Sequence, residues 1–258
     1  MRKTAGVLPF AALVLGAGGF FLRRVELKTA FEPSGFAIPG APVTVALVAL
    51  TAAALIFAAI TGLAVRARYQ SAPLYERAYR SGGAALLAGC LAGLAFLIGT
   101  ALYLYEAVSG GSAGIFDLVF AALAAISGFS LILLARAAFT GRFGGGLSYL
   151  SVFPALFFCL WLIAIYRENA PNPVILSYAY QITAACACAF VYYISAGCAF
   201  GKAYAGKMAF GHLAAVFFCA VALADPLPLW TRLFFGASLV FSLATGDSFF
   251  KNLSPKDA

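Results

Sequence analysis

Uncharged polar side chains are concentrated in one apolar stretch, SYAYQITAACACAFVYYISAGCAF, from Ser177 to Phe200. At the three- and four-residue spacing of one helix face, this stretch presents Tyr178, Gln181, Ala185, Cys188, Tyr192, Ser195 and Ala199. We call this face the polar seam. An amide or hydroxyl without a partner in hydrocarbon is costly, so the seam should face the inside of a helical bundle. The Gln181 amide can both donate to and accept from an uncharged polar ligand.

His212, the single histidine of the chain, lies about one helical turn inside another apolar run. An ionisable side chain at such a depth is a functional hypothesis by default, although a hydrogen-bonded histidine at a helix end is the plainer alternative. We therefore predict a ligand-binding site from this histidine and the strongest seam residues: Tyr178, Gln181, Cys188, Tyr192, Ser195 and His212.

Metal and cofactor sites are not expected. The six cysteines all lie in apolar runs, where they are typical packing residues: Cys90, Cys159, Cys186, Cys188, Cys198 and Cys219. Cys186 and Cys188 are separated by about 200° around a helix and cannot chelate one ion together. Met208 shares a face with His212, so the two cannot ligate a haem iron from opposite sides.

Catalytic motifs are also scarce, and we expect no catalytic residues. Gly128, Phe129 and Ser130 partly resemble the Gly-x-Ser-Gly of rhomboid-type intramembrane serine proteases, which pair that serine with a histidine on another helix. Leu131 stands where the second glycine would be. A serine protease acting through Ser130 and His212 is therefore a remote alternative, and the sequence favours a protein that is not an enzyme.

The elements that must position these residues are membrane-spanning helices. The chain is 64% hydrophobic and only 10% charged, and a bilayer requires about 20 apolar residues per helix. We predict an all-α polytopic bundle, a single transmembrane domain over residues 1–258. Its eight spans are 5–22, 43–65, 83–105, 115–135, 147–166, 174–200, 208–224 and 229–250. The first span resembles a signal peptide, but FFLRR follows its small residues directly, so we expect it to be retained.

The distribution of basic residues predicts the orientation. Of the 17 Lys and Arg residues, five fall on the far side of the predicted membrane: Arg23, Arg24, Lys28, Arg167 and Arg232. The other twelve share the side of the N-terminus, which predicts that both termini are cytoplasmic in a cell membrane. Topology thus accounts for the formal charge of +8, and no nucleic-acid partner is expected.

Small residues at four-residue spacing predict close helix approaches, in the series Ala85, Gly89, Gly93, the pair Ala124, Gly128 and the pair Gly197, Gly201. Expected partners are membrane lipids, a small-molecule ligand and, through these small-residue faces, other copies of the chain or other subunits. Pro154 predicts a kink in the fifth span.

Two functional hypotheses follow. The first is transport or binding of a small, largely neutral molecule through the polar seam. The second is a non-catalytic assembly, sensory or structural membrane subunit, in which the seam packs against another helix. A polar cavity reaching Gln181 favours the first, and a filled seam favours the second.

Overall fold

The computed structural model of this protein describes residues 6–72, 74–111 and 114–256. The helices in these ranges are α1 (Val7–Thr29), α2 (Pro42–Arg68), α3 (Tyr75–Ala78), α4 (Gly83–Ser109), α5 (Ile115–Thr140), α6 (Gly145–Leu150), α7 (Phe153–Asn169), α8 (Ala179–Ala199), α9 (Ala205–Ala222) and α10 (Leu229–Lys251). Two short strands, β1 (Tyr69–Gln70) and β2 (Ser254–Pro255), form an antiparallel pair. A 3-10 turn, Ile175–Ser177, precedes α8.

The fold is all-α, with 8 helical segments in the described ranges that are long and apolar enough to cross a membrane. They are α1, α2, α4, α5, the combined α6 and α7, α8, α9 and α10. We call the end of the bundle where α1 begins the proximal end and the end where α1 stops the distal end. The sequence predicts that the proximal end is cytoplasmic.

The segment boundaries differ from the predicted ones where polar groups intervene. The first span was predicted to stop at residue 22, but α1 continues to Thr29, because Arg23 and Glu26 form an ion pair across one turn of the helix. Its predicted start at Ala5 lies outside the described residues. The sixth span was predicted from residue 174, but α8 begins at Ala179 after the 3-10 turn.

The fifth span is interrupted just before Pro154, where Ser151 and Val152 keep right-handed helical dihedral angles between two helices. α6 ends at Leu150, and α7 begins at Phe153 with Pro154 in its first turn. A proline is tolerated there because the first backbone N–H groups of a helix have no partner within the helix. Pro154 therefore lies at the break in the fifth span, where the sequence predicts a kink.

Six helices form a closed ring in which each packs against the next, in the order α8, α9, α10, α4, α5, α7 and back to α8. Large aromatic side chains fill the inside of this ring. Phe96 of α4 packs 4.9 Å from Phe234 of α10, and Phe157 of α7 packs 5.1 Å from the same ring (centroid distances). Trp161 of α7 stacks on Phe235 at 4.6 Å. This aromatic core is close-packed, as expected for a bundle interior.

Helix α9 is the most buried span, because α1 and α2 cover its outer side in addition to its ring neighbours. Glycines allow these close contacts. A Cβ on Gly19 of α1 would lie 2.6 Å from the Val221 side chain, and one on Gly206 of α9 would lie 2.6 Å from the carbonyl oxygen of Gly62 in α2. Gly93 and Gly128, one from each of two predicted small-residue series, likewise bring α4 and α5 together, since a Cβ on Gly93 would lie 2.6 Å from the Gly128 carbonyl oxygen.

The loop between α2 and α4 folds back into the proximal end of the bundle. Its short helix α3 buries Tyr75, and Tyr79 just after it is also buried. The segment after α10 holds this loop in place. There β2 pairs with β1, and the Asn252 amide donates to the carbonyl oxygens of Ala78 and Arg80.

Candidate functional site

The distal ends of α1 and α9 are joined by a buried group of three charged residues, Arg23, Glu26 and Asp225, which we call the distal charge cluster. Arg23 Nε donates to Asp225 Oδ1 at 2.7 Å and Nη1 donates to Glu26 Oε2 at 2.6 Å. The third guanidinium nitrogen, Nη2, donates to the Ser177 carbonyl oxygen at 2.9 Å. All three side chains are buried, and each guanidinium nitrogen has one acceptor within the protein.

The two carboxylates of this cluster are only half satisfied. Glu26 Oε1 and Asp225 Oδ2 are buried and have no hydrogen-bond partner of normal geometry within the described residues. With both acids ionised, the cluster has one positive and two negative charges. Burial raises the pKa of the Asp225 carboxyl above its ordinary range, while Arg23 opposes that rise. The cluster can therefore accept more donors or positive charge than it contains.

The polar seam meets the distal charge cluster at the start of α8. Gln181 is partly exposed and lies close enough to lower the pKa of Asp225, although it makes no well-formed hydrogen bond with this carboxylate. Tyr180 lies beneath Arg23, with 5.1 Å between the guanidinium carbon and the ring centroid, and its hydroxyl is 3.1 Å from Thr51 Oγ1 of α2. Tyr178 is buried nearby at the first position before the helix.

A second buried polar group, at the proximal end, joins α8 and α9 to the loop after α3. Tyr79 Oη is 2.8 Å from Ser195 Oγ and 3.0 Å from His212 Nε2. We call Tyr79, Ser195 and His212 the proximal triad. Each hydrogen bond has a consistent donor in either histidine tautomer, because the tyrosine hydroxyl donates to one neighbour and accepts from the other. His212 Nδ1 has no partner of normal geometry within the described residues.

The middle of the polar seam packs directly against other helices. Cys188 Sγ is 3.2 Å from Cys219 Sγ of α9. Tyr192 stacks on Phe158 of α7 with 5.6 Å between ring centroids, and its hydroxyl donates to Ser238 Oγ of α10 at 3.3 Å. Cys186 points outward and is exposed, as its angle from Cys188 predicts.

The structure thus divides the predicted ligand-binding residues into three places. Tyr178 and Gln181 lie at the distal end, Cys188 and Tyr192 in the packed middle, and Ser195 with His212 at the proximal end. Three grooves of the described residues, one between α5 and α6 and two beside α9, lie away from all six of these residues. Contacts with neighbouring helices fill the seam from Cys188 to Ser195, and its distal end borders the unpartnered carboxylate oxygens of Glu26 and Asp225.

The structure shows no contact between the serine and histidine that a serine protease would require. Ser130 Oγ donates to the Ile126 carbonyl oxygen within its own helix at 2.7 Å. His212 Nε2 bonds Tyr79, and no hydrogen bond joins it to Ser130. Among the residues described, no group of three or more His, Cys, Asp and Glu side chains could hold a metal ion.

Sequence reasoning did not select the residues of the distal charge cluster, Tyr180 or Tyr79. One available signal was the spacing of Arg23 and Glu26, since opposite charges three residues apart favour a helix that continues past its apolar run. Asp225 could not be paired with Arg23 in this way, because 202 residues separate them. Tyr79 lies in a loop that reads as exposed and basic, and only the tertiary fold buries it.

No protein-family model, no curated protein and no solved structure matches this chain. The eight apolar helical segments are compatible with a multi-pass membrane protein. Any more specific function must be argued from the two buried clusters and their surroundings.

Proposed function

We propose that this multi-pass membrane protein binds a small, largely neutral molecule at the distal end of α8, for transport or for sensing. The observation that carries the proposal is the pair of buried, unpartnered carboxylate oxygens, Glu26 Oε1 and Asp225 Oδ2, beside the partly exposed amide of Gln181. Buried acceptors without donors are costly, so a molecule with hydroxyl or amide donors would gain free energy by pairing with them.

The charge balance favours a ligand of low charge. Arg23 offsets one of the two carboxylate charges, and burial raises the pKa of Asp225, which favours its neutral form. The other groups around the cluster are the uncharged side chains of Tyr178, Tyr180 and Gln181. A buried ion group of this kind contributes little net stability compared with apolar residues of similar size. Its presence in an apolar bundle is therefore better explained by binding than by folding.

The experiment is a binding screen on the purified full-length protein in detergent, read as the shift in unfolding temperature. The probes are uncharged polyols, simple amides and nucleosides, with a primary amine and a carboxylic acid as charged comparisons. At 100 times its Kd, a ligand specific for the folded state adds about 2.7 kcal/mol to the unfolding free energy. Any stabilising probe is then tested for uptake into proteoliposomes.

Matched variants place the ligand in this site. The Gln181→Leu and Asp225→Asn variants should lose the shift produced by the stabilising probe. Gln70→Leu is the control, because Gln70 is exposed at the proximal end and its amide bonds only the Pro255 carbonyl oxygen at 3.5 Å. A probe that stabilises all three variants equally would contradict the proposed site, and stabilisation by the charged probes alone would contradict the neutral ligand.

A specific observation also favours the second hypothesis, a non-catalytic assembly, sensory or structural subunit. Cys188, Tyr192 and Ser195 are all engaged with neighbouring helices, as a packing seam would be. Under that hypothesis no probe stabilises the protein, and a co-purifying membrane subunit is lost when the helix surface that binds it is changed.

A further inference from the structure

Two open grooves at the proximal end combine a pair of basic side chains with apolar walls. The larger groove has a volume of about 510 Å³ and lies between α5 and α6. Arg136 near the end of α5 and Arg142 just after it supply its charges, and its walls are Leu133, Ala137, Thr140 and Leu147. The proposal below concerns this groove and does not rest on the proposed function.

The local backbone explains why the two arginines share one groove. α5 ends at Thr140, and Gly141 adopts a left-handed conformation with φ of 68°, which reverses the chain direction. This turn returns Arg142 to the side of the helix that carries Arg136. The Thr140 hydroxyl is already used, since it donates to the Arg136 carbonyl oxygen at 2.9 Å.

Within the described ranges, neither arginine has a carboxylate that neutralises it. No carboxylate of the described residues lies within 4.0 Å of either guanidinium, and both side chains are exposed. Two guanidinium groups on one groove suit a phosphate, because each can donate two parallel hydrogen bonds to phosphate oxygens. The groove therefore presents unpaired positive charge at the edge of the apolar bundle surface.

The smaller groove repeats this chemistry between α2 and α9. Arg66 and Lys207 lie on it, its volume is about 290 Å³, and its apolar walls include Leu63, Phe190 and Phe210. The close approach of Gly62 and Gly206 brings the two helices together beneath it. Two grooves on different helix pairs thus share cationic rims and apolar walls at the same end of the bundle.

We propose that the Arg136–Arg142 groove binds an anionic phospholipid, with its phosphate on the two guanidinium groups and its acyl chains along Leu133 and Leu147. Basic pockets between membrane helices are suited to acidic lipid headgroups. Free phosphate would use the charges but would gain nothing from the apolar walls. The Arg66–Lys207 groove is a smaller site for the same class of lipid.

The experiment measures lipid binding to the full-length protein in neutral detergent by native mass spectrometry, with phosphatidylglycerol, phosphatidylcholine and inorganic phosphate as separate probes. The wild-type protein should retain phosphatidylglycerol in preference to phosphatidylcholine. The double variant Arg136→Gln, Arg142→Gln should bind phosphatidylglycerol roughly 30-fold more weakly, since each basic group near a lipid phosphate contributes a roughly equal increment.

The control is Arg77→Gln, Arg80→Gln, which removes the same charge from exposed arginines at the same end that line neither groove. Its binding should change by less than roughly threefold, because single lipids in detergent form no charged surface to which remote residues respond. The double variant Arg136→Lys, Arg142→Lys keeps the charge, and it should bind phosphatidylglycerol with intermediate affinity.

Three results would overturn the proposal. The first is an equal loss of phosphatidylglycerol from the groove and control variants, which indicates attraction by net charge alone. The second is competition by inorganic phosphate as effective as that by the lipid, which indicates a phosphate site without a lipid. The third is equal retention of phosphatidylglycerol and phosphatidylcholine by the wild-type protein.

Discussion

The distal charge cluster and the proximal triad lie at opposite ends of the same helix pair, α8 and α9, and each ties that pair to a segment from elsewhere in the chain. The distal segment is the end of α1, which contributes Arg23 and Glu26. The proximal segment is the loop after α3, which contributes Tyr79. The two groups are alike in burial and in this architectural role.

They differ in how their hydrogen-bonding capacity is used. The proximal triad consists of neutral groups in short contact, with one ring nitrogen left over. The distal charge cluster contains three ionisable groups, and two carboxylate oxygens are left over. A neutral hydrogen-bond network in which nearly every group has a partner is suited to stabilising helix packing. Buried charge without enough partners is typical of sites that bind a ligand or a proton. The contrast favours packing at the proximal end and supports the proposal of binding at the distal end.

Removal of Arg23 should cause the largest loss of unfolding free energy among the substitutions that compare the two ends. Arg23→Ala leaves two carboxylates buried without their cation, and breaking a buried ion group in this way costs about 3–5 kcal/mol. Chemical unfolding of the purified protein in detergent measures the change. Arg24→Ala is the control, because Arg24 is the exposed neighbour that lies over the ring of Phe20. Equal losses in the two variants would show that the distal charge cluster is not coupled to folding.

Tyr79→Phe should be less damaging and should affect only the proximal end. It removes one hydroxyl and leaves Ser195 Oγ and His212 Nε2 without their shared partner, at a cost of about 1–3 kcal/mol. Tyr193→Phe is the control, since Tyr193 lies on the helix that carries Ser195 and is 68% exposed. Probe binding at the distal end should survive in Tyr79→Phe. If binding is lost while the variant remains folded, the division between a packing end and a binding end is wrong.

The helices were predictable from the sequence, and the distal charge cluster was not. Long apolar runs predict spanning helices because backbone groups in lipid need partners within the segment. The helical periodicity within these runs also predicted that the side chains of Cys186 and Cys188 point to opposite sides of the helix. Hydrophobicity does not reveal where a helix stops when charged side chains are paired with each other inside the protein. The predicted first span therefore ended seven residues before the end of α1 and omitted residues 23–29.

The polar seam shows a related limit. Its periodicity selects Ala185, Cys188 and Tyr192 of α8, which are buried, because one-sided polarity requires an inward face. Gln181 and Ser195 on the same seam are only partly buried. Periodicity does not distinguish an inward face that borders a ligand from one that borders a helix. Phe158, Cys219 and Ser238 fill the middle of the seam from distant parts of the chain, and their positions depend on the order of helices in the ring.

The pH dependence of the unfolding free energy tests the distal charge cluster through a smaller expected effect. Burial raises the pKa of Asp225 above the ordinary value of 3.8, and the groups that face it are Arg23, Glu26, Tyr180 and Gln181. Between pH 3.8 and the raised pKa, the folded state therefore keeps a proton on Asp225 that the unfolded state releases. Stability from this group is complete below that window and falls as pH rises through it. Because Arg23 opposes the rise in the Asp225 pKa, this change in unfolding free energy should be smaller than that caused by Arg23→Ala or Tyr79→Phe.

Unfolding curves of the wild type and Asp225→Asn across the acidic range measure this dependence. The stability of the wild type relative to the variant should decline as pH rises. Asp247→Asn provides the comparison, since Asp247 pairs with the exposed Lys251 at 2.6 Å away from the distal end. A wild-type advantage that grows with pH would mean that Arg23 dominates over burial, and the distal charge cluster would then behave as a structural ion pair.

The smallest expected effect is that of Ser195→Ala at the proximal end. Ser195 is partly buried and contributes one neutral hydrogen bond, to Tyr79 Oη at 2.8 Å, so its removal should cost about 0.5–1.5 kcal/mol. Tyr79 keeps His212 as a partner, which limits the loss. Ser109→Ala, at an exposed hydroxyl, gives the baseline in the same unfolding assay. A double-mutant cycle with Tyr79→Phe should yield a coupling energy close to the single loss, because the two substitutions remove the same bond. Additive losses would mean that Ser195 acts through some other contact and that the proximal triad is not one network.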